Sequence, residues 1–547
     1  MNSIEVVLVM LLTVAASGYL VRALPFSLPL PLLQIALGAV IAGVFNWGVV
    51  LDPDIFFLLF LPPLLFLDGW RIPKDGLFRD KASILQLALG LVVFTVIGAG
   101  FLIHWLIPAM PLAVAFALAA IVSPTDPVAV SSITARVPIP KRLMHILEGE
   151  SLLNDASGLV CFRFAVAAAL TGSFSLASAS LTFLWVALAG IAIGVAVTMG
   201  ASTAQAWLAR QFGAEIGAPI LVNLLIPFGA YLLAELLHAS GILAAVTAGI
   251  TMSYVELSGR ALASTRVQRA AVWNTVQLAL NGIMFVLLGE QLPAILHGAA
   301  EVVRHSGHAS PWWLAAYALA ISVGLTLLRF IWVWTSLRLT LFRTHGHGED
   351  AQPATKPHRR LVLATSLAGV RGAITLAGIM TLPLLMPDGS PFPARDLAVF
   401  LATAVILLSL AMASIGLPRL LQGLQLPEEP AEQLEEDLAR HEAAVAAIAA
   451  IERTQDAWLQ KTDDAESCRG AAEHVIALYQ HRLDSGAPVG SKPGQLHKTA
   501  QLERNLRVIG LQAEREAVFA LARQARISDK TARKVVREID LLDSRYH

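Results

Sequence analysis

Long apolar stretches, separated by short polar loops, fill the chain from its first residues to about residue 425. A helix needs about 20 mostly apolar residues to cross the hydrocarbon core of a bilayer. Thirteen stretches approach that length: 3–24, 29–48, 54–70, 81–107, 110–131, 143–171, 180–207, 216–238, 240–257, 271–297, 310–341, 361–386 and 394–422. The pattern therefore predicts an all-α polytopic membrane protein with about 13 transmembrane helices.

The fifth segment is interrupted by two prolines. Pro124 and Pro127 each remove a backbone donor and disfavour helix in the residue before them. Thr125 and Asp126 are therefore expected in unwound backbone, whose free carbonyls can bind a cation where the backbone lines a cavity. A plain proline kink, with Asp126 capping the following half-helix, is the alternative, and the two interpretations are compatible.

The twelfth segment is also irregular, because Gly369 and Gly372 flank an intramembrane Arg371. Close helix packing at small residues explains the glycines but not the arginine. A pair of interrupted segments in corresponding halves of a chain indicates an inverted-repeat transporter with a site near the midplane. We therefore expect two broken helices that cross.

The charged residues are distributed unevenly. The last 120 residues carry 21 acidic and 17 basic side chains, out of 40 of each in the whole chain. This shift predicts a membrane domain over residues 1–426 and a soluble helical C-terminal tail over residues 427–547. Helices are expected in the tail at 431–462, 464–484, 497–525 and 528–543.

Basic residues in the loops predict the orientation. With the amino terminus outside, 18 basic residues fall in inward loops, against Arg304 and Arg395 in outward ones. This bias follows the positive-inside rule and places the tail in the cytoplasm. The expected location is the plasma membrane, the inner membrane of a bacterium, with lipids as neighbours.

The sequence lacks the motifs that are typical of several other classes of protein. Two cysteines do not make a disulfide framework. The sequence has no phosphate-binding loop, the signal of an ATP-driven pump. It also has no Gly-x-Gly-Asp or Gly-x-Ser-Gly pattern, the signals of an intramembrane protease. We expect no enzyme activity, no cofactor and no nucleic-acid partner.

Acidic and polar residues recur inside the sixth segment. Glu150, Ser151, Asn154 and Asp155 have helical spacing, so Ser151 and Asp155 share one face and Glu150 and Asn154 a neighbouring one. Asp155 lies about 18 Å along the helix from Leu143, which is near the midplane. A buried carboxylate is costly unless it is compensated. These residues therefore predict that the protein handles cations or protons.

Apart from the residues already counted with the loops, three basic residues remain within the predicted segments. Arg163 is expected near the outer end of its segment, where a long side chain can reach the interface. Arg329 and Arg371 lie deeper and need partners. Either could neutralise Glu150, and the sequence does not decide between them.

Three motifs occur in a specific order: Ser-Pro-Thr-Asp-Pro-Val-Ala-Val at 123–130, Glu-Gly-Glu-Ser-Leu-Leu-Asn-Asp at 148–155 and Gly-Val-Arg-Gly-Ala at 369–373. Over roughly residues 1–425, the chain resembles the sodium/proton exchangers of the monovalent cation:proton antiporter superfamily. The Asn-Asp pair resembles that of the electroneutral branch. The resemblance implies a homodimer with a static dimerisation domain and a moving core.

The resemblance also implies roles for individual residues. Asp155, Asn154 and Asp126 are expected to carry the exchange, and Na⁺ is expected to bind Asp155, Asp126, Thr125 and Ser151. Leu-Pro-Pro-Leu-Leu-Phe-Leu-Asp-Gly at 61–69 resembles a further family motif, which makes Asp68 an additional ion-site candidate.

The remaining assignments concern the structural ion pair. Glu150 resembles the acid that pairs with an arginine of the eleventh segment, best matched by Arg329. Arg371 matches the arginine of the unwound twelfth segment. Asn154 stands where the electrogenic branch has a second aspartate.

The expected mechanism is competition between a proton and a cation for Asp155. If only the neutralised site crosses, exchange is obligatory, and with an uncharged Asn154 it is one cation for one proton with no net charge moved. Na⁺ is the expected cation, with Li⁺ as a further substrate. Potassium/proton exchange by the same machinery and a non-transporting membrane sensor are the alternatives.

Overall fold

The structure is a computed structural model that describes residues 3–24, 28–45, 53–71, 90–134, 141–172, 176–213, 217–257, 263–305, 312–344, 359–422, 430–459, 465–486, 493–524, 526 and 529–543. These residues form two compact units, Met1–Gln425 and Leu426–His547. Within the described ranges the only β-pairing is an isolated bridge between Leu385 and Pro391. The predicted all-α class is thus confirmed.

The first unit contains fifteen described helices. They are α1 (Ser3–Ala23), α2 (Leu30–Phe45), α3 (Pro53–Arg71), α4 (Leu91–Leu106), α5 (Leu112–Val122), α6 (Pro127–Thr134), α7 (Lys141–Thr171), α8 (Leu176–Phe212), α9 (Gly217–Leu236), α10 (Gly241–Leu257), α11 (Ala263–His305), α12 (Trp312–Thr344), α13 (Arg359–Leu367), α14 (Ala373–Met380) and α15 (Arg395–Leu421).

Every predicted segment overlaps one of these helices, and the fifth and twelfth overlap a pair of half-helices, α5–α6 and α13–α14. Six described helices are long and apolar enough to span a membrane: those containing Glu5–Ala23, Leu184–Phe212, Gly217–Leu236, Thr265–Leu296, Trp312–Ser336 and Arg395–Leu421. The start of the fourth predicted segment, 81–89, lies outside the described residues. The number of 13 spans and the inverted repeat stay predictions.

Apolar side chains occupy both the inside and the outside of this unit. Leu118, Ile321 and Leu401 are fully buried, whereas Leu12 and Trp105 are 69% and 75% exposed. A soluble domain does not cover its outer surface with large apolar side chains, whereas a bilayer requires it.

Small residues bring the helices into close contact. A Cβ atom on Gly249 of α10 would overlap the carbonyl oxygen of Phe66 on α3. Glycine at this position lets the two backbones touch, which is the usual way in which membrane helices pack. This contact fixes α3, which carries Asp68.

The second unit contains four described helices: α16 (Pro430–Leu459), α17 (Ala465–Gly486), α18 (Pro493–Arg523) and α19 (Asp529–Asp543). Arg515 of α18 donates to Asp540 at 2.9 Å and to Asp543 at 2.7 Å, which ties α18 to α19.

Candidate ion-binding site

The first helix break, between α5 and α6, comprises residues 123–126. Pro127 is the first residue of α6, where its missing N–H costs nothing. Asp126 Oδ1 accepts the backbone N–H of Ala129 at 3.2 Å, so Asp126 is the N-cap of this half-helix. The sequence predicted both the break and the cap.

The second break, residues 368–372 between α13 and α14, crosses the first. The backbone N–H of Asp126 donates to the carbonyl oxygen of Val370 at 2.7 Å. Each interrupted helix leaves backbone groups without intrahelical partners, and this bond satisfies one such group from each break. The expectation of two broken crossing helices is met.

Gly372 lets the breaks approach each other. A Cβ atom at this position would overlap Oδ2 of Asp126. The φ of Gly372 is −136°, which is outside the positive-φ region that favours glycine. Glycine is therefore required here for space and not for conformational freedom.

Arg371 binds backbone carbonyls at the ends of two half-helices. Its Nε donates to the carbonyl of Val122, the last residue of α5, at 2.9 Å, and its Nη1 donates to the carbonyl of Gly369 just beyond α13. The Arg371 backbone N–H donates to Ser409 Oγ of α15 at 3.1 Å. A cation at a helix C-terminus is stabilised by the helix dipole, so Arg371 compensates both helix ends.

Asp155 of α7 faces the first break and is 3% exposed. Ser151 Oγ lies 2.8 Å from the carbonyl oxygen of Thr125 and 3.4 Å from Asp155 Oδ2. A hydroxyl carries one hydrogen, so Ser151 donates to one of these oxygens at a time. Its lone pairs stay available to a cation held by Asp155.

Asn154 of α7 also contacts the first break. Its Nδ2 donates to Thr125 Oγ1 at 3.0 Å. Its Oδ1 is buried and has no hydrogen-bond partner among the described residues. Asn154 thus fixes the Thr125 side chain without adding a charge.

A cavity of about 30 Å³ collects five of the candidate residues. That volume holds about two water-sized bodies. Its described lining comprises Leu64, Asp68, Pro124, Thr125, Asp126, Ser151, Asp155, Gln277, Asn281, Gly372, Ile374 and Thr375. Three carboxylates and neutral oxygen donors, which are the ligands that hard cations prefer, therefore surround one small space.

Glu150 and Arg329 form a buried ion pair away from this cavity. The two guanidinium nitrogens Nη1 and Nη2 donate to Oε1 and Oε2 of Glu150 at 2.5 and 2.9 Å. Their side chains are 1% and 2% exposed. Arg329 Nε also donates to the carbonyl of Thr365 at 3.1 Å, so this arginine joins α7, α12 and α13. The residues alone left two possible partners for Glu150, Arg329 and Arg371. In the structure Glu150 pairs with Arg329.

Sequence reasoning did not single out Gln277, Asn281 or Thr375, all of which line the cavity. Gln277 and Asn281 lie four residues apart on α11, so they share one helical face. That spacing of two amides in an apolar segment was the available signal.

Arg163 pairs with Glu235 at 3.1 Å, and both side chains are partly exposed, at 47% and 37%. Arg163 is thus not a buried charge, in keeping with the expected position near the end of a span.

The family model described as "Sodium/hydrogen exchanger, transmembrane" matches residues 9–423. The chain is 40% identical over 544 residues to the uncharacterized Na(+)/H(+) exchanger YjcE of Escherichia coli (strain K12), with 98% of each chain covered. It is 39% identical over 554 residues to the sodium, potassium, lithium and rubidium/H(+) antiporter of Bacillus subtilis (strain 168), with 100% of this chain and 78% of that relative covered.

Among solved structures, the fold is similar to that of the sodium proton antiporter MjNhaP1 from Methanocaldococcus jannaschii at pH 8. The TM-score is 0.57 at 19% identity, and the match covers 77% of this chain and 98% of that one. At this identity the likeness establishes the fold.

Proposed function

The chain belongs to the transmembrane sodium/hydrogen exchanger family, and we propose that it exchanges one monovalent cation for one proton at the cavity around Asp155. It is a membrane-spanning cation/proton antiporter and not an enzyme, as the match to named bacterial antiporters over the whole chain indicates.

One observation carries the assignment of the site. Asp155, 3% exposed, shares a small cavity with Asp126, Asp68, Ser151 and Thr125 at the crossing of two broken helices. A buried carboxylate without a bound cation or proton is strongly disfavoured. The site is therefore more stable with either a cation or a proton bound than with neither.

Competition at Asp155 couples the two fluxes. A cation entering the cavity is held by the Asp155 carboxylate and by neutral oxygens of Ser151 and Thr125. A proton on Asp155 removes the charge that holds the cation. Because the empty charged site is the costly state, movement between the two sides is favourable only with the cation or the proton bound. Exchange is then obligatory.

The stoichiometry follows from Asn154. Asn154 binds Thr125 Oγ1 through its amide nitrogen and carries no charge. The exchanging site then loses one proton for each cation gained, so the cycle moves no net charge. Transport is expected to be insensitive to membrane potential.

Na⁺ is the cation that we propose, with Li⁺ as a further substrate. Potassium/proton exchange is the second candidate, because the antiporter of Bacillus subtilis, 39% identical to this chain, is named for sodium, potassium, lithium and rubidium. A non-transporting sensor is the remaining alternative.

We further propose a bacterial plasma membrane as the location, with a cytoplasmic tail and a homodimeric assembly. The bacterial relatives support the membrane, and the loop charges support the orientation.

Cation-induced proton movement in proteoliposomes that hold a pH gradient tests the proposal. Na⁺, Li⁺ and K⁺ are compared for the wild type, for Asp155→Asn and for the control Asp388→Asn, which removes an exposed carboxylate outside the cavity. A parallel sodium assay clamps the potential with valinomycin and potassium. We expect cation-dependent collapse of the gradient in wild type and control, and none in Asp155→Asn.

The order of cations decides between sodium and potassium. A current driven by the membrane potential would contradict one-to-one exchange. A folded wild type that exchanges no cation at any pH would exclude antiport and favour the sensor.

A further inference from the structure

The guanidinium of Arg71, at the end of α3, binds two amide side chains of α11. Nη1 donates to Oε1 of Gln277 at 2.7 Å, and Nη2 donates to Oδ1 of Asn274 at 2.5 Å. Gln277 also lines the cavity that contains Asp155. Arg71 is exposed. Its positive charge is connected to the cavity by the side chain of Gln277, which contacts both.

Helical spacing aligns these residues. Arg71 follows Asp68 by three residues on α3, which places both on one face, one turn apart. On α11, Asn274, Gln277 and Asn281 have spacings of three and four and also share a face. A polar stripe therefore leads from Arg71 to the cavity.

The chemistry of the guanidinium determines how the amides are turned. Arginine has donors and no acceptor, so the oxygens of Gln277 and Asn274 must face it. These oxygens are the only atoms of the two side chains that can bind a cation. Each amide oxygen has two lone pairs, so the bond from Arg71 occupies one of them and places the guanidinium charge beside the other.

The end of α3 is held firmly. Trp70 Nε1 donates to Glu256 Oε2 at 2.7 Å, and the Arg269 guanidinium lies 5.9 Å from the centre of the Trp70 ring. A Cβ on Gly69 would overlap the carbonyl of Val246, so the backbones of α3 and α10 touch there. The position of Arg71 is thus pre-organised.

We propose that Arg71 is a positioning residue that weakens the affinity of the cavity for the monovalent cation. Its charge repels the cation, and its hydrogen bonds hold Gln277 Oε1 and Asn274 Oδ1 toward the guanidinium. The inference rests on the antiport function proposed above and adds a residue that acts through Gln277.

The test compares full-length wild type with Arg71→Met, which removes charge and donors, and with Arg71→Lys, which keeps the charge but loses the two-pronged geometry. The matched control is Arg22→Met, because Arg22 is an exposed arginine at the end of α1. Na⁺ affinity is measured from the Na⁺-dependent rise of Tm in detergent at alkaline pH, and KM and kcat from proteoliposomes.

We expect Arg71→Met to lower the Kd and KM for Na⁺ by about threefold to tenfold, the effect of one screened nearby charge, while kcat stays within about twofold. Arg71→Lys should lie between Arg71→Met and wild type. In a Gln277→Leu background, Arg71→Met should have a smaller effect, because one released oxygen is gone. Arg22→Met should behave as wild type.

Unchanged or weaker Na⁺ affinity in folded Arg71→Met overturns the proposal. If Arg71→Met does not fold, Arg71→Lys decides, and an affinity equal to that of wild type overturns it. A wild type with neither Na⁺-dependent proton movement nor a Na⁺-dependent Tm is a different result, because it contradicts the antiport function itself.

Discussion

Gly372 has no Cβ atom, and this allows the two broken helices to meet. The negative φ of Gly372 does not itself call for glycine, whereas the space at its Cβ position is taken by Asp126 Oδ2. Asp126 is at once a cap of α6, a backbone donor to Val370 and part of the cavity lining. A change at Gly372 therefore acts on the ion site through Asp126.

We expect Gly372→Ala to reduce cation-dependent proton exchange by at least about tenfold, because overpacking costs about 1–3 kcal/mol and displaces Asp126. Exchange in proteoliposomes measures the effect. Gly200→Ala is the control, since a Cβ there meets no atom within 4 Å. Wild-type exchange by Gly372→Ala would show that the close approach is not needed.

At the scale of helices, the Glu150–Arg329 pair joins α7 to α12, and the bond to Thr365 adds α13. Both charges are almost fully buried. Removing one partner leaves the other charge without compensation in an apolar interior, which is more costly than removing both.

Arg329→Met should lower the free energy of unfolding by about 3–5 kcal/mol, and Glu150→Leu combined with Arg329→Met should cost less than the sum of the single changes. Thermal unfolding in detergent measures both. Arg163→Met breaks a partly exposed pair and should cost at most about 1 kcal/mol. Additive effects at Glu150 and Arg329 would argue against a coupled pair.

Features set by local backbone chemistry were predictable from the sequence. Two prolines three residues apart, at 124 and 127, favour a break, and Asp126 directly before Pro127 is in the position of an N-cap. Pro62 and Pro63, by contrast, lie inside the continuous helix α3, so proline alone does not decide where a helix breaks. The residues alone left the partner of Glu150 open between two arginines, and the resemblance favoured Arg329. Only the folded chain brings Arg329 of α12 within hydrogen-bond distance of Glu150. Gln277 and Asn281 were missed because an uncharged amide in an apolar segment is ordinary until the fold turns it toward carboxylates.

At the scale of the whole chain, every described residue that lines the cavity belongs to the unit Met1–Gln425. The unit Leu426–His547 is helical and rich in charge. The division of roles between a membrane domain and a cytoplasmic tail stays a prediction, and deleting the tail tests it.

A chain ending at Gln425 should retain cation-dependent proton exchange, because the ion ligands and their supports are all present. The measurement is the proteoliposome assay, with the amount of folded protein checked by size-exclusion chromatography. Retained exchange would exclude a sensor that works only through its tail. A folded truncated protein without exchange would instead make the tail part of the transport machinery.

The bond from the Asp126 backbone N–H to the Val370 carbonyl restricts how the cavity can open to the opposite side of the membrane. While this bond persists, neither half-helix can slide past the other, and the carbonyl of Thr125 and the carboxylate of Asp155 keep their mutual geometry through Ser151. The walls formed by α3 and α11 are not joined by it. A change of access that spares the bond must therefore carry the crossing, together with Thr125, Asp126, Ser151 and Asp155, as one body past α3 and its Asp68 and past α11.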